Sequence, residues 1–144
     1  MKYFVDANIF LRFLLADHPK QSPQAKQLFE KASIGEVNLI TLPIVIAEIV
    51  WVLSSYYKES TSDVAGKIRQ ILFFKGLEVI DQSDLLVAVQ IFESQNIDFI
   101  DAYISGWMLN QKITGIFSFD KDFDKIENIQ RIELIRQEVM RDSS

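Results

Sequence analysis

Short apolar runs and longer stretches with helical spacing alternate along the chain. The short runs are bounded by polar residues or glycine and predict buried strands. They occupy residues 3–5, 37–41, 77–80 and 115–119, and residues 132–135 predict a shorter fifth strand. The longer stretches repeat apolar residues every three or four positions. This spacing predicts helices over residues 7–15, 22–33, 43–57, 83–95 and 99–112, with another from about residue 61. Ser22 is expected to be the N-cap of the second helix, with Pro23 at its first helical position.

Strands that alternate with helices predict an α/β fold, here a three-layer α/β/α arrangement with a mostly parallel central sheet of about five strands. The 144 residues include only five Gly and three Pro, too few for long linkers. We therefore expect a single domain over residues 1–144, with the residues from about 137 forming a loose tail. In such folds, functional sites gather beyond the carboxyl ends of the strands.

Composition narrows the class of protein. Without Cys, the chain has no disulfide, thiolate metal site or cysteine nucleophile, and it suits a reducing cytoplasm. The most apolar stretch, residues 42–53, is far shorter than the roughly 20 residues of a membrane-spanning helix. We expect a soluble cytoplasmic protein. The net charge of -5 argues against a general nucleic-acid binder, although it suits an enzyme whose acidic residues bind cations.

Two acidic residues stand out in the first third of the chain. Asp6 directly follows the first predicted strand, and Asn8 offers a second oxygen ligand nearby, although Asp6 is equally suited to cap the following helix. Glu48 is the one charged residue in the apolar stretch 42–53. Charged groups are rarely buried without a partner or a metal, so Glu48 is expected to be a functional buried carboxylate. A partly exposed residue or a structural ion pair is the alternative.

Further acids follow in the last third. Asp101 lies in an apolar helical segment, about one turn after Asp98, which suits the helix N-cap. A structural role for Asp101, favoured by the helix dipole, has about the same weight as a functional one. Asp120 comes directly after the fourth strand, and Asp122 lies two residues later, where it either assists Asp120 or faces water.

These acids together indicate a metal site. Carboxylates gathered at one edge of a sheet repel each other, which raises their pKa values unless a cation neutralises them. Oxygen ligands without Cys or a suitable His select a hard ion, so Mg²⁺ or Mn²⁺ is the expected cofactor. Such ions support hydrolysis of a phosphodiester. The single His18 is expected on a surface turn, and no phosphate-binding glycine motif occurs.

Four segments carry a resemblance to a known family: VDANIFLRFLL, LPIVIAEIVWVL, IDFIDAYISGWM and GIFSFDKDFDKI. Their order and context resemble the PIN-domain ribonucleases, most closely the toxins of the VapC type, from residue 2 to about 135. The resemblance implies that the catalytic and metal-binding acids are Asp6, Glu48, Asp101 and Asp120. It implies supporting roles for Asn8 and for Ser118, the hydroxyl residue before the last acid, while Asp122 is expected to share the work of Asp120.

The resemblance also implies a function. It indicates a Mg²⁺- or Mn²⁺-dependent endoribonuclease that acts on RNA, forms a homodimer and is inhibited by a cognate antitoxin lying across the active site. The sequence does not clearly identify the residues that contact RNA phosphates. Any single Lys or Arg is explained more simply as part of a solvated surface. The candidates are Arg12, Lys20, Lys26, Lys58, Lys67, Arg69 and Lys75.

Two alternatives remain at this point. The first is a non-catalytic receiver-like signalling domain, phosphorylated at Asp81, with Ser118 nearby. Such a domain needs paired acids after the first strand, where this chain has Ala7, and a Lys after the last. It also leaves Glu48 and Asp101 without a role. The second alternative is a PIN-like domain that acts only as a binding module. The presence of all four catalytic acids argues against it.

Overall fold

A computed structural model describes residues 1–134, and five strands alternate with six α-helices in that part of the chain. The strands are β1 (Lys2–Phe4), β2 (Asn38–Thr41), β3 (Leu77–Val79), β4 (Gly115–Phe117) and β5 (Gln130–Ile132). The helices are α1 (Ala7–Leu15), α2 (Gln21–Ser33), α3 (Pro43–Trp51), α4 (Thr61–Leu72), α5 (Gln82–Gln95) and α6 (Phe99–Asn110). A π-helical turn (Val52–Tyr56) extends α3, and a 3-10 turn (Lys121–Lys125) follows β4. The predicted C-terminal tail lies outside the described residues.

The strands form two parallel sheets. β1, β2 and β3 pair in that order, and β4 pairs with β5. The α/β class and the parallel pairing are confirmed, whereas the single five-stranded sheet predicted from the sequence is wrong for residues 1–134. Each strand pairs with its neighbour along the chain, as consecutive strands commonly do. Apolar periodicity identifies strands but does not say which of their edges meet.

Local capping explains where several helices begin. Asp98 caps α6, because its carboxylate accepts a hydrogen bond from the Ile100 amide, as predicted. The start of α2 differs from prediction. Ser22 lies inside the helix, and its hydroxyl accepts a hydrogen bond from the His18 amide. The imidazole Nδ1 of His18 accepts from the amide of Gln21 at 2.9 Å, so His18, and not Ser22, supplies the side-chain acceptor at the start of α2.

A continuous hydrophobic core holds the first sheet against the helices. Ile46, Ile49 and Leu53 are fully buried on one side of α3 and its π-helical extension. The buried Thr41 hydroxyl donates to the carbonyl oxygen of Val5 at 3.0 Å. This bond ties the end of β2 to the residue before Asp6, so it fixes the chain where β1 passes into α1.

Helices α5 and α6 form a closely packed pair that supports the acidic end of α6. Gly106 permits the close approach, because a Cβ atom there would lie 3.2 Å from the carbonyl oxygen of Asp84 and from Val87. On the same helix, the buried Ser105 hydroxyl donates to the Asp101 carbonyl oxygen at 2.8 Å. The backbone that carries Asp101 is therefore held firmly against α5.

Candidate metal centre

Three carboxylates converge between α6 and the segment after β4. Asp101, Asp120 and Asp122 each offer one oxygen atom, and these atoms all lie within 4.8 Å of one another. Within residues 1–134, no other group of three His, Cys, Asp or Glu side chains meets this condition. The structure thus brings together two of the four acids predicted as catalytic, together with Asp122, which was predicted only as an assistant.

Asp120 and Asp122 are held by a short series of local hydrogen bonds. The Ser118 hydroxyl accepts from the Asp120 amide at 3.0 Å, and a carboxylate oxygen of Asp120 accepts from the Asp122 amide at 2.9 Å. Phe123 is 3% exposed and anchors the 3-10 turn in the interior. Asp122 also pairs with Lys125 at 3.2 Å. The hydroxyl expected before the last acid therefore positions that acid directly.

The three acids interact strongly in the absence of a cation. Partial burial raises the pKa of Asp101 from 3.8 to about 6, and a hydrogen bond with Asp120 and the negative charges of Asp120, Asp98 and Asp122 add to the effect. A bound divalent cation would offset both the burial cost and the repulsion. Three monodentate carboxylates also leave positions for water or phosphate oxygens, which suits Mg²⁺ or Mn²⁺. The residues fit such an ion.

Glu48 lies outside this cluster and is exposed, so the prediction that it is buried is wrong. Of the apolar residues one turn away along α3, Ile44 and Trp51 are 75% and 65% exposed, whereas Val45 is buried. Apolar neighbours were taken as a sign of burial, but Glu48 lies where the buried side of α3 gives way to its exposed side. Glu48 lines a groove between α3 and the start of α6, together with Asp98 and Ile100.

Asp6 also lies outside the cluster. It is exposed and acts as the N-cap of α1, with its carboxylate 3.4 Å from the amide nitrogen of Ile9. Its neighbours in a cleft between α1 and α2 include Asn8 and Arg12. Arg12 pairs with Asp17 at 3.1 Å. The structural role that the sequence allowed for Asp6 is therefore present.

The PIN domain family matches residues 3–129. This chain belongs to the PIN-domain family. PIN domains have a nuclease fold, and they generally cleave RNA with a divalent metal ion. None of the curated proteins matches the chain. No helix within residues 1–134 is long and apolar enough to cross a membrane.

Membership in the PIN family leaves the receiver-like alternative without support. Asp81 follows β3 by two residues, but its carboxylate accepts a hydrogen bond from the Tyr103 hydroxyl at 3.3 Å, and it is not one of the three clustered acids. Three of the candidate RNA-contacting cations pair with acids of this PIN domain: Arg12 with Asp17, Lys67 with Glu59 and Arg69 with Glu93.

Sequence reasoning missed Arg131, on β5 of the PIN domain. Its side chain is only 9% exposed, and its guanidinium donates to the Ser118 carbonyl oxygen at 3.2 Å. Three of the four surrounding residues, Gln130-Arg131-Ile132-Glu133, are polar, so nothing in the local sequence indicates that the Arg131 side chain is withdrawn from water. No periodicity in the sequence could reveal a contact made across to the end of β4.

Proposed function

We propose that this PIN domain is a Mg²⁺- or Mn²⁺-dependent endoribonuclease whose ion ligands include Asp101, Asp120 and Asp122. The observation that carries the proposal is the convergence of these three carboxylates within 4.8 Å. The raised pKa of Asp101 supports it, because an acidic cluster that resists losing its protons gains most from a divalent cation.

The chemistry follows from the ligand set. A divalent ion held by these residues would supply a Lewis acid that polarises the phosphodiester, activates water and stabilises the leaving oxygen. The protein's part is to hold the ligands in a fixed arrangement. Asp98 caps α6 and so fixes the turn that carries Asp101, while the Ser118 hydroxyl holds the backbone of Asp120. Asp122 supplies the third carboxylate from the start of the 3-10 turn.

Asp6 and Glu48 belong to the proposal as further carboxylates of the site, on the strength of their places in the family's motifs. Glu48 and Asp98 line the same groove, and Asp98 caps the helical turn that carries Asp101. Asp6 follows β1, with Asn8 beside it in the same cleft. We expect both acids to contribute to turnover, and less to ion affinity than the three clustered residues.

The proposed biological role is that of a cytoplasmic toxin in a toxin–antitoxin pair. It is supported by the resemblance to VapC-type toxins, and by an acidic cluster on a chain of net charge -5, which suits a basic inhibitory segment of an antitoxin. Expression of the wild-type chain without its antitoxin should arrest bacterial growth, and expression of Asp101→Asn should not. Normal growth with the wild-type chain, expressed to the same level, would contradict a toxin.

We further propose a homodimer that uses the exposed side of α3. Ile44, Trp51 and Ile100 are all more than half exposed, and contiguous apolar surface of this kind is typical of protein contacts. A second copy of the chain is the proposed occupant. Light scattering after gel filtration should give the dimer mass for the wild-type protein and the monomer mass for Trp51→Glu. A wild-type monomer at micromolar concentration would exclude the dimer.

Cleavage of RNA tests the enzymatic proposal. Purified protein should cleave a mixed RNA substrate with Mg²⁺ or Mn²⁺ and lose this activity with EDTA. Asp101→Asn should lower the rate by at least about 100-fold, beyond the range typical of residues that only support a ligand. Asp63→Asn is the matched control, because Asp63 is an exposed acid on α4 outside the cluster, and it should retain full activity.

The possible outcomes separate the candidate functions. Cleavage that persists with EDTA, or that survives Asp101→Asn, would refute the proposed site. Binding of Mn²⁺ without cleavage of transfer, ribosomal or messenger RNA would favour the PIN-like binding module over the enzyme.

A further inference from the structure

The guanidinium of Arg131 bridges the two ends of the segment that carries two of the proposed ligands. Nη1 donates to the Ser118 carbonyl oxygen at 3.2 Å. Nε and Nη2 donate to the two carboxylate oxygens of Asp124 at 3.1 and 3.3 Å, and Nη2 also contacts Glu133 at 3.3 Å. Ser118 precedes Asp120 and Asp124 follows Asp122, so both ligands lie between the two anchoring points.

These contacts differ from an ordinary surface ion pair. The Arg131 side chain is 9% exposed, while the side chains of Asp124 and Glu133 are 53% and 59% exposed. A guanidinium withdrawn from water to this extent needs nearly all its donors satisfied. The planar fork of Arg binds the Asp124 carboxylate in a bidentate manner and still reaches a backbone carbonyl, whereas an ammonium group cannot make all three contacts at once.

Between the anchoring points, the buried Phe123 fixes the turn in the interior, and two local hydrogen bonds hold the backbone around the two ligands. The Ser118 hydroxyl accepts from the Asp120 amide, and the Asp120 carboxylate accepts from the Asp122 amide. The latter bond occupies one oxygen of a proposed ligand. The Arg131 contacts do not use either ligand carboxylate, so they restrain the segment without competing for the ion.

We propose that Arg131 is a positioning residue for the ion ligands Asp120 and Asp122, acting through the Ser118 carbonyl and the Asp124 carboxylate. This inference rests on the proposed function, since it concerns the same site. By fixing both ends of the segment before the ion arrives, Arg131 reduces the conformational freedom that the ligands would otherwise lose on binding.

The direction of the change in Mn²⁺ affinity on substitution of Arg131 distinguishes a positioning role from a purely electrostatic one. Arg131 is a positive charge near a cation site, so on Coulomb grounds alone Arg131→Gln should tighten Mn²⁺ binding. Positioning predicts the opposite. We expect Arg131→Gln and Arg131→Lys to weaken Mn²⁺ binding by about tenfold, the lower end of the range for residues that orient ligands. Arg131→Lys is the sharper variant, because it retains the charge and loses the bridge.

The experiment is calorimetric titration of Mn²⁺ into the metal-free full-length protein, together with the melting temperature of each variant. Arg69→Gln is the matched control, since Arg69 forms an ion pair with Glu93 between α4 and α5, away from the cluster. It should leave Mn²⁺ affinity unchanged. Should Arg131 variants fail to fold, Asp124→Asn replaces them: Asp124 is exposed, and removing its charge weakens the same bridge. Unchanged or tighter Mn²⁺ binding in the folded variants would overturn the proposal.

A second measurement decides the inference even if the proposed function is wrong. In metal-free protein, amide hydrogen exchange at Asp120 and Asp122 should be faster in Arg131→Lys than in the wild-type protein, and unchanged in Arg69→Gln. A wild-type protein that binds no Mn²⁺ would refute the proposed metal site, and the exchange rates would still test the bridge. Equal exchange rates in wild type and Arg131→Lys would refute it.

Discussion

The candidate acids of this PIN domain divide between two regions, the cluster and the surface outside it. Asp101, Asp120 and Asp122 converge within 4.8 Å, and the pKa of Asp101 is raised to about 6. Asp6 and Glu48 are both exposed and are not part of that cluster. The sequence grounds for the five differed: strand ends for Asp6 and Asp120, apolar flanks for Glu48, the family resemblance for Asp101, and proximity to Asp120 for Asp122. A sequence motif therefore identifies candidate acids, but the fold determines which of them lie close together.

The two sheets account for much of this difference. Asp6 follows β1, which belongs to the three-stranded sheet, whereas Asp120 follows β4, which pairs only with β5 in the described part of the chain. Acids at the carboxyl ends of neighbouring strands in one sheet come together. Asp120 instead meets Asp101 because the 3-10 turn after β4 contacts α6. Asp6 and Asp120 thus follow strands of different sheets, and only Asp120 belongs to the cluster.

The largest expected effect contrasts one acid from each region. Asp120→Asn should weaken Mn²⁺ binding by at least about 100-fold, because it removes a charged ligand from the cluster, while Asp6→Asn should weaken it by less than about tenfold. Titration of Mn²⁺ into each metal-free variant measures the difference. Equal losses in the two variants would place Asp6 among the ion ligands and abolish the distinction between the regions.

A smaller effect is expected from the hydroxyl that supports Asp120. Ser118→Ala removes the acceptor for the Asp120 amide and should weaken Mn²⁺ binding by about tenfold. Ser33→Ala is a suitable control, since the Ser33 hydroxyl only donates to the Glu30 carbonyl within α2. Ser118→Ala with wild-type affinity would show that the turn after β4 holds Asp120 without the hydroxyl.

The raised pKa of Asp101 predicts a pH dependence of stability without metal. The folded protein holds a proton on Asp101 up to about pH 6, whereas the unfolded chain releases it near 3.8. Folding is therefore favoured at low pH, and this contribution is lost as the pH rises through about 4 to 6. Asp101→Asn should melt about 2 °C above the wild-type protein at pH 7 and at the same temperature at pH 4.

The control for this measurement is Asp63→Asn, which should show no gain in melting temperature at either pH. Scanning calorimetry in EDTA measures the melting temperatures of the wild-type protein, Asp101→Asn and Asp63→Asn. Saturating Mn²⁺ should reverse the order at pH 7, because only the wild-type site gains from the ion. A wild-type protein whose stability rises between pH 4 and pH 6 relative to Asp101→Asn would contradict the raised pKa.

The sequence identified elements more reliably than contacts. Four of the five strands and the capping role of Asp98 were predictable, since apolar periodicity and helix caps are local properties. The fifth strand was predicted at residues 132–135 and lies at Gln130–Ile132. The separate pairing of β4 with β5 and the bridge from Arg131 were not, because both depend on which distant segments meet. The role of His18 at the start of α2 was also missed, since Ser22 matched a common capping pattern that the structure does not use there.

The smallest expected effect tests the surface position of Glu48. A buried, unpaired carboxylate would change stability by several kcal/mol when neutralised, whereas an exposed one changes it by less than about 0.5 kcal/mol. Glu48→Gln should therefore have the wild-type free energy of unfolding in urea, in EDTA and at pH 7. Ile49→Ala is the contrasting variant, because Ile49 is fully buried on the core-facing side of α3, and it should lose about 2–5 kcal/mol. A large change on Glu48→Gln would restore the buried carboxylate that the apolar flanking sequence suggested.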